Sequence, residues 1–145
     1  MKTSLLTLAG VLCAGLLTVN AAEKIQAGPK GGRILEKTMP KAEFFVEKDR
    51  TVTIAFYDEK LQIVPVGNQV VTVIANAKSG KTTLALARKD GRLVSQTPLP
   101  EGEGYDIVVM IKAREDTKSQ NFRFKLDTST CGGCKRAEYA CTCGE

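Results

Sequence analysis

Cys131-Gly132-Gly133-Cys134 and Cys141-Thr142-Cys143 gather four thiols in one short segment, with six residues between the two pairs. Two thiolates separated by two glycines can converge on one ion, because the missing side chains let the backbone fold back tightly. A second pair close by can complete a tetrahedral shell of four sulfurs, with metal–sulfur bonds of about 2.3 Å for zinc. Soft thiolates suit Cu+ as well. Cys131, Cys134, Cys141 and Cys143 are therefore the candidate ligands of Zn2+ or Cu+. The same spacing also admits disulfides, since an even number of cysteines in an exported chain usually pairs, and then no cofactor is bound. Thiol exchange is a third reading, but no βαβ pattern precedes Cys131 to lower a thiol pKa.

Catalytic chemistry is poorly supplied elsewhere. The chain has no histidine, which removes the commonest general base and the commonest metal ligand. Ser79-Gly80-Lys81-Thr82 imitates the end of a phosphate-binding loop, but Ala75 stands where the motif needs its first glycine and no helix follows. A hairpin turn is the expected reading there. The serines lack an evident base, and the carboxylates are scattered through turns. The chain is not expected to be an enzyme. Its formal charge of +5 is spread along the sequence. A nucleic-acid partner would need that charge clustered on one face, so none is expected.

The elements that must position the cysteines follow from hydrophobic period. Lys2, the uncharged apolar run from Leu5 to Val19 and the small residues Ala21 and Ala22 read as a signal peptide over residues 1–21. Such a run is shorter than the roughly 20 residues a membrane span needs, so no span is expected after cleavage. Cys13 falls within it and is expected to be discarded with it. Residues 22–32 are polar with Gly and Pro, and read as a flexible lead-in. From residue 33 to 127 short alternating rows take over: Ala42, Phe44 and Val46 against charged or exposed positions; Val52, Ile54 and Phe56; Ile107, Val109 and Ile111; Phe122, Phe124 and Leu126. Val70 to Ile74 and Leu84 to Ala87 are denser, as strands covered on both faces would be.

Glu47-Lys48-Asp49-Arg50, Asp58-Glu59-Lys60, Lys78-Ser79-Gly80 and Asp90-Gly91 punctuate these rows as tight turns. Asp90-Gly91 suits a type I′ hairpin. Pro98 to Gly104 must be a longer loop. Roughly seven to nine short strands of this kind predict an all-β chain, an antiparallel immunoglobulin-like β-sandwich. Residues 128–145 form a cysteine-rich tail, in which Lys135, Arg136 and Tyr139 are expected to make up the surface around the site.

Gly28-Pro29-Lys30-Gly31-Gly32-Arg33-Ile34-Leu35, then Ala42-Glu43-Phe44-Phe45-Val46, then Val52 to Asp58, carry a resemblance. The stretch resembles the small β-domain of periplasmic adaptor subunits of heavy-metal efflux systems of the cobalt–zinc–cadmium type, and its stand-alone relatives. In that family a Gly-Pro-His-Gly-Gly-Arg opening precedes a Glu-Phe-Val-Val strand. Lys30 stands here where the family carries histidine. The resemblance, over residues 28–126, implies a periplasmic setting and a link to metal handling, with any metal site moved to the cysteines. The expected function is thus an exported metal-binding accessory protein, periplasmic or secreted, whose partner is an envelope protein or a metal-efflux component. The alternative is a non-catalytic envelope interaction module with a disulfide-stapled tail.

Overall fold

The structure, a computed structural model, describes residues 24–35 and 38–143. The expected signal segment and Cys13 lie outside the described residues. Among the described residues no helix is long and apolar enough to cross a membrane.

The chain is all-β. Its described residues form ten strands: β1 (Arg33–Leu35), β2 (Lys41–Val46), β3 (Val52–Tyr57), β4 (Ile63–Val64), β5 (Val70–Ala77), β6 (Gly80–Leu84), β7 (Leu86–Lys89), β8 (Arg92–Ser95), β9 (Asp106–Lys112) and β10 (Gln120–Lys125). β1 and β4 are too short for alternation to mark them in a sequence. One sheet has the order β1-β2-β3-β8-β7 with β4 on β3, and the other β10-β9-β5-β6. Every pairing is antiparallel. Alternate residues of both sheets meet in one core, with Phe44, Ile54 and Phe56 from the first sheet opposed to Val73, Ile107, Val109 and Phe124 from the second.

The turns follow their residue chemistry. Asp90 and Gly91 both take positive φ, 50° and 73°, as a type I′ hairpin requires. Lys78-Ser79-Gly80 joins β5 to β6, so the phosphate-loop imitation is a hairpin.

Leu84 to Ala87 departs from the expected single strand. β6 pairs with β5 as far as Leu84, the chain breaks at Ala85, and β7 pairs with β8 from Leu86. Leu84 and Leu86 both reach the core, so period two continues while the chain changes sheets. Neither dense segment is covered on both faces. β6 is exposed except at Leu84, and only Val73 and Ala75 are buried in β5.

Glu43 is the second departure. Alternation places it outward from the core, yet it is only 1% exposed. The segment 28–32, expected as part of a lead-in, is an ordered turn closed by Gly28 N–H to Gly32 O at 2.8 Å and Gly31 N–H to Gly28 O at 2.9 Å. It wraps the carboxylate, which accepts the N–H of Gly32 at 2.7 Å and of Lys30 at 3.1 Å. Burial, and then its hydrogen bond to Glu43, push the Tyr57 hydroxyl up to about 12. Backbone N–H groups thus compensate a buried carboxylate that the sequence pattern assigns to solvent.

A Cβ on Gly32 would run into the Phe44 carbonyl oxygen, which belongs to the β2 backbone and cannot step aside. Gly32→Ala is expected to destabilise the fold by about 1–3 kcal/mol, the range for overpacking a closed site. A lower urea midpoint with an unchanged slope is the readout, and an unchanged midpoint contradicts the packing.

Candidate metal centre

The tail does not leave the sandwich. Leu126 is fully buried, and its N–H donates to Tyr105 O at 2.8 Å. Thr128 then donates through its N–H (2.9 Å) and hydroxyl (2.7 Å) to the Glu103 carboxylate, which Arg50 Nη1 also reaches at 3.0 Å. Partial burial acts to raise the Glu103 carboxyl; the Thr128 and Arg50 donors overcome it and hold it below its ordinary value. Asp127 Oδ1 accepts the Ser129 N–H at 3.0 Å, which turns the chain. The returning segment docks antiparallel, with Glu138 N–H on Ser129 O (2.9 Å) and Tyr139 N–H on Asp127 O (3.0 Å).

Tyr139 anchors this return and is not the surface residue expected. It lies in a 3-10 turn, Glu138–Ala140, and is 4% exposed. Its ring meets Phe44 edge-on at 5.8 Å and stacks against Phe124 at 6.2 Å, so it closes the gap between β2 of one sheet and β10 of the other. Its oxygen accepts the Val46 N–H at 3.0 Å. The reason is compositional: it is the single aromatic of the tail, and a chain so rich in Gly, Cys and charge has little else to bury.

Between the two docked arms a loop carries Cys131 and Cys134, and Cys141 and Cys143 follow the returning arm. Cys131 N–H donates to Arg136 O at 2.7 Å, Lys135 N–H to Cys131 O at 3.1 Å, and Lys135 takes φ 61° to close the turn. The Lys135 ammonium is bound to Gly132 O at 2.8 Å.

The four expected residues come together. Cys131, Cys134, Cys141 and Cys143 place their sulfurs within 4.8 Å of one another. Cys141 Sγ lies 3.1 Å from Cys131 Sγ and 3.7 Å from Cys134 Sγ. A tetrahedral shell with bonds of about 2.3 Å sets its sulfurs about 3.8 Å apart, inside this range. A disulfide needs about 2.05 Å, and all four cysteines are free. Burial is graded across the set: Cys131 is buried at 6%, Cys134 and Cys141 are half-buried, and Cys143 is exposed.

The electrostatics suit a cation. Backbone N–H groups of Arg136 and then Thr142 point at the Cys134 sulfur and bring its thiol down to about 6. The Cys143 N–H, 3.4 Å from the Cys141 sulfur, works in the same direction on Cys141. There it is outweighed by the Cys131 sulfur, by burial and by the remaining sulfurs, and Cys141 is pushed up to about 12. Cys143 is raised too, first by Cys134. One thiolate forms readily and its neighbours resist, because like charges cannot share so small a volume without a positive centre. A metal ion reverses that resistance.

Sequence reasoning found all four sulfurs but missed what places them. Tyr139 was legible only as a lone aromatic, and the N–H donors of Arg136 and Thr142 carry no side-chain signature. Gly133 was read as flexibility, whereas a Cβ there would stand 2.9 Å from Cys143 Sγ. Comparison with protein-family models, with curated proteins and with solved structures found no match, so the efflux-adaptor resemblance rests on the residues quoted for it.

Proposed function

We propose that this chain is an exported, non-catalytic metal-binding accessory protein that holds one soft ion on Cys131, Cys134, Cys141 and Cys143. The observation that carries the reading is the convergence of four free sulfurs within 4.8 Å. Four thiolates in a tetrahedral set favour Zn2+ over Cu+, since that geometry is the one zinc adopts with sulfur. Such a shell is closed, leaving no position for a reacting water, and so acts structurally or in storage and delivery.

Export is supported by Lys2 and the apolar run from Leu5 to Val19, which read as a signal peptide. The efflux-adaptor resemblance supports a periplasmic setting and an envelope or efflux partner. Lys30, standing where that family has histidine, is ion-paired with Glu47 and sits 4.7 Å above the Phe45 ring, so this position offers the ion no ligand. Metal handling falls to the tail.

Native mass spectrometry of the chain purified from an exporting host tests the reading, with one zinc or copper ion per chain as the expected result. A mass short of two hydrogens per cysteine pair, with no bound ion, overturns it in favour of the disulfide-stapled interaction module. The pH dependence has a definite sign. Cys141 and Cys143 are raised, so both are thiols near neutral pH and must each give up a proton to ligate. Uptake is expected to release at least these two protons per ion and to weaken as pH falls. Titration calorimetry in buffers of different ionisation enthalpy counts them, and uptake without proton release contradicts thiolate ligation.

A further inference from the structure

Building on the metal-site reading, we propose that Cys143 is the exchangeable ligand of the centre, seated against the bare backbone of Gly133, while Cys131, Cys134 and Cys141 form a fixed three-sulfur anchor. An incoming thiolate from an acceptor molecule then replaces Cys143 on the ion.

The three anchor residues are tied into the fold. Cys131 is buried and exchanges backbone hydrogen bonds with the loop at Arg136 O (2.7 Å) and Lys135 N–H (3.1 Å). Cys141 N–H donates to Glu138 O at 3.1 Å, at the end of the turn that Tyr139 pins in the core. Cys134 is half-buried, with its sulfur 3.7 Å from that of Cys141. Cys143 differs. It is exposed, its N–H reaches the Cys141 sulfur at 3.4 Å, and its own sulfur lies against the Gly133 backbone.

What seats Cys143 is an absence of atoms. A Cβ at Gly133 would lie 2.9 Å from Cys143 Sγ, 3.8 Å from Cys143 Cβ and 3.9 Å from Cys131 Sγ, so the sulfur occupies the space a side chain would take. Gly132, its neighbour, would meet nothing within 4 Å. Neither glycine adopts positive φ, so alanine is conformationally allowed at both. Gly132 and Gly133 are exposed, which leaves this side of the cluster open to an approaching ligand. In the exchange the metal bond to Cys143 sulfur breaks as one forms to the acceptor thiolate. The acceptor thiol loses its proton to solvent as it becomes the attacking thiolate, the released Cys143 thiolate takes one up from solvent, and no oxidation state changes.

The test uses the full chain loaded with Co2+, whose thiolate charge-transfer absorption scales with the number of sulfur ligands, alongside zinc release to a chelator. Cys143→Ser and Gly133→Ala are expected to keep one ion with a three-sulfur spectrum and to release zinc on the order of 10–100-fold faster. Gly132→Ala is expected to match the parent chain, and free cysteine is expected to accelerate release from the parent. Loss of all binding in Cys143→Ser overturns the proposal, because Cys143 is then an anchor like the rest. A parent-like spectrum in Cys143→Ser overturns it by showing that Cys143 does not ligate, and Gly133→Ala equal to Gly132→Ala removes the seat. A parent chain that takes up no ion fails earlier: it sinks the metal reading and this proposal together.

Discussion

Cys131→Ser is expected to abolish stoichiometric ion binding, weakening it by about a thousandfold or more, and to leave the sandwich folded. The hydroxyl replaces a soft, polarisable ligand with a hard one that holds its proton near neutral pH. A loss of that size is about 4 kcal/mol, a plausible share of the ~10–16 kcal/mol that a structural zinc contributes. Position sharpens the effect. Cys131 is the buried member of the set at 6% exposure, so water cannot readily enter to replace the missing ligand. The sandwich has its own core, with Phe44, Ile54, Val73 and Val109 fully enclosed and no cysteine among the clustered residues. Zinc content after gel filtration and the thermal transition of the variant check both halves of this expectation. A variant that keeps a full complement of zinc would falsify the four-sulfur centre, and one that loses the sandwich would show the core to depend on the ion. Removing zinc from the parent with a chelator is the matching control, and it is expected to reproduce the variant's thermal transition.

The contrast between what was legible in the sequence and what was not lies in the range of the interactions. Phe122, Phe124 and Leu126 announce β10 because alternation is local, and all three are buried as the pattern implies. Asp90-Gly91 announces its hairpin because positive φ is a property of the residues themselves. The cysteine spacing announces the site because few backbone arrangements put four sulfurs so close. Glu43 defeats the pattern, since its partners Gly32 and Lys30 lie in a turn well before β2 and are backbone donors. Ala85 defeats it because alternation records which side a residue faces and not which strand it pairs with. Tyr139 defeats it because its neighbours, Phe44 and Phe124, belong to strands far away in sequence.

Tyr139→Ala is expected to cost about 3–5 kcal/mol of stability, as large aromatic truncations in a core do. The expectation follows from three losses at one place. The ring's buried area goes, its two aromatic contacts go, and the Val46 N–H is left without an acceptor at a partly buried position. Tyr139→Phe separates the last of these, because it keeps the ring and removes only the oxygen; about 1 kcal/mol is expected for that change. The tyrosine hydroxyl is pushed up to about 12, chiefly by burial, so it stays protonated across the working range and the stability difference between Tyr and Phe should not vary with pH from 6 to about 9. The decisive comparison is between stability and metal stoichiometry. The loop that carries Cys131 and Cys134 closes on its own backbone, through Cys131 N–H to Arg136 O and Lys135 N–H to Cys131 O. Tyr139→Ala should therefore lower the denaturant midpoint while still binding one ion, though more weakly, because Cys141 has lost the docked turn that positions it. Zinc would then recover part of the lost stability as its concentration rises, since an ion that binds only the folded tail shifts the equilibrium toward it. If Tyr139→Ala leaves the midpoint unmoved, the aromatic plug is not what joins the cysteine loop to the sandwich.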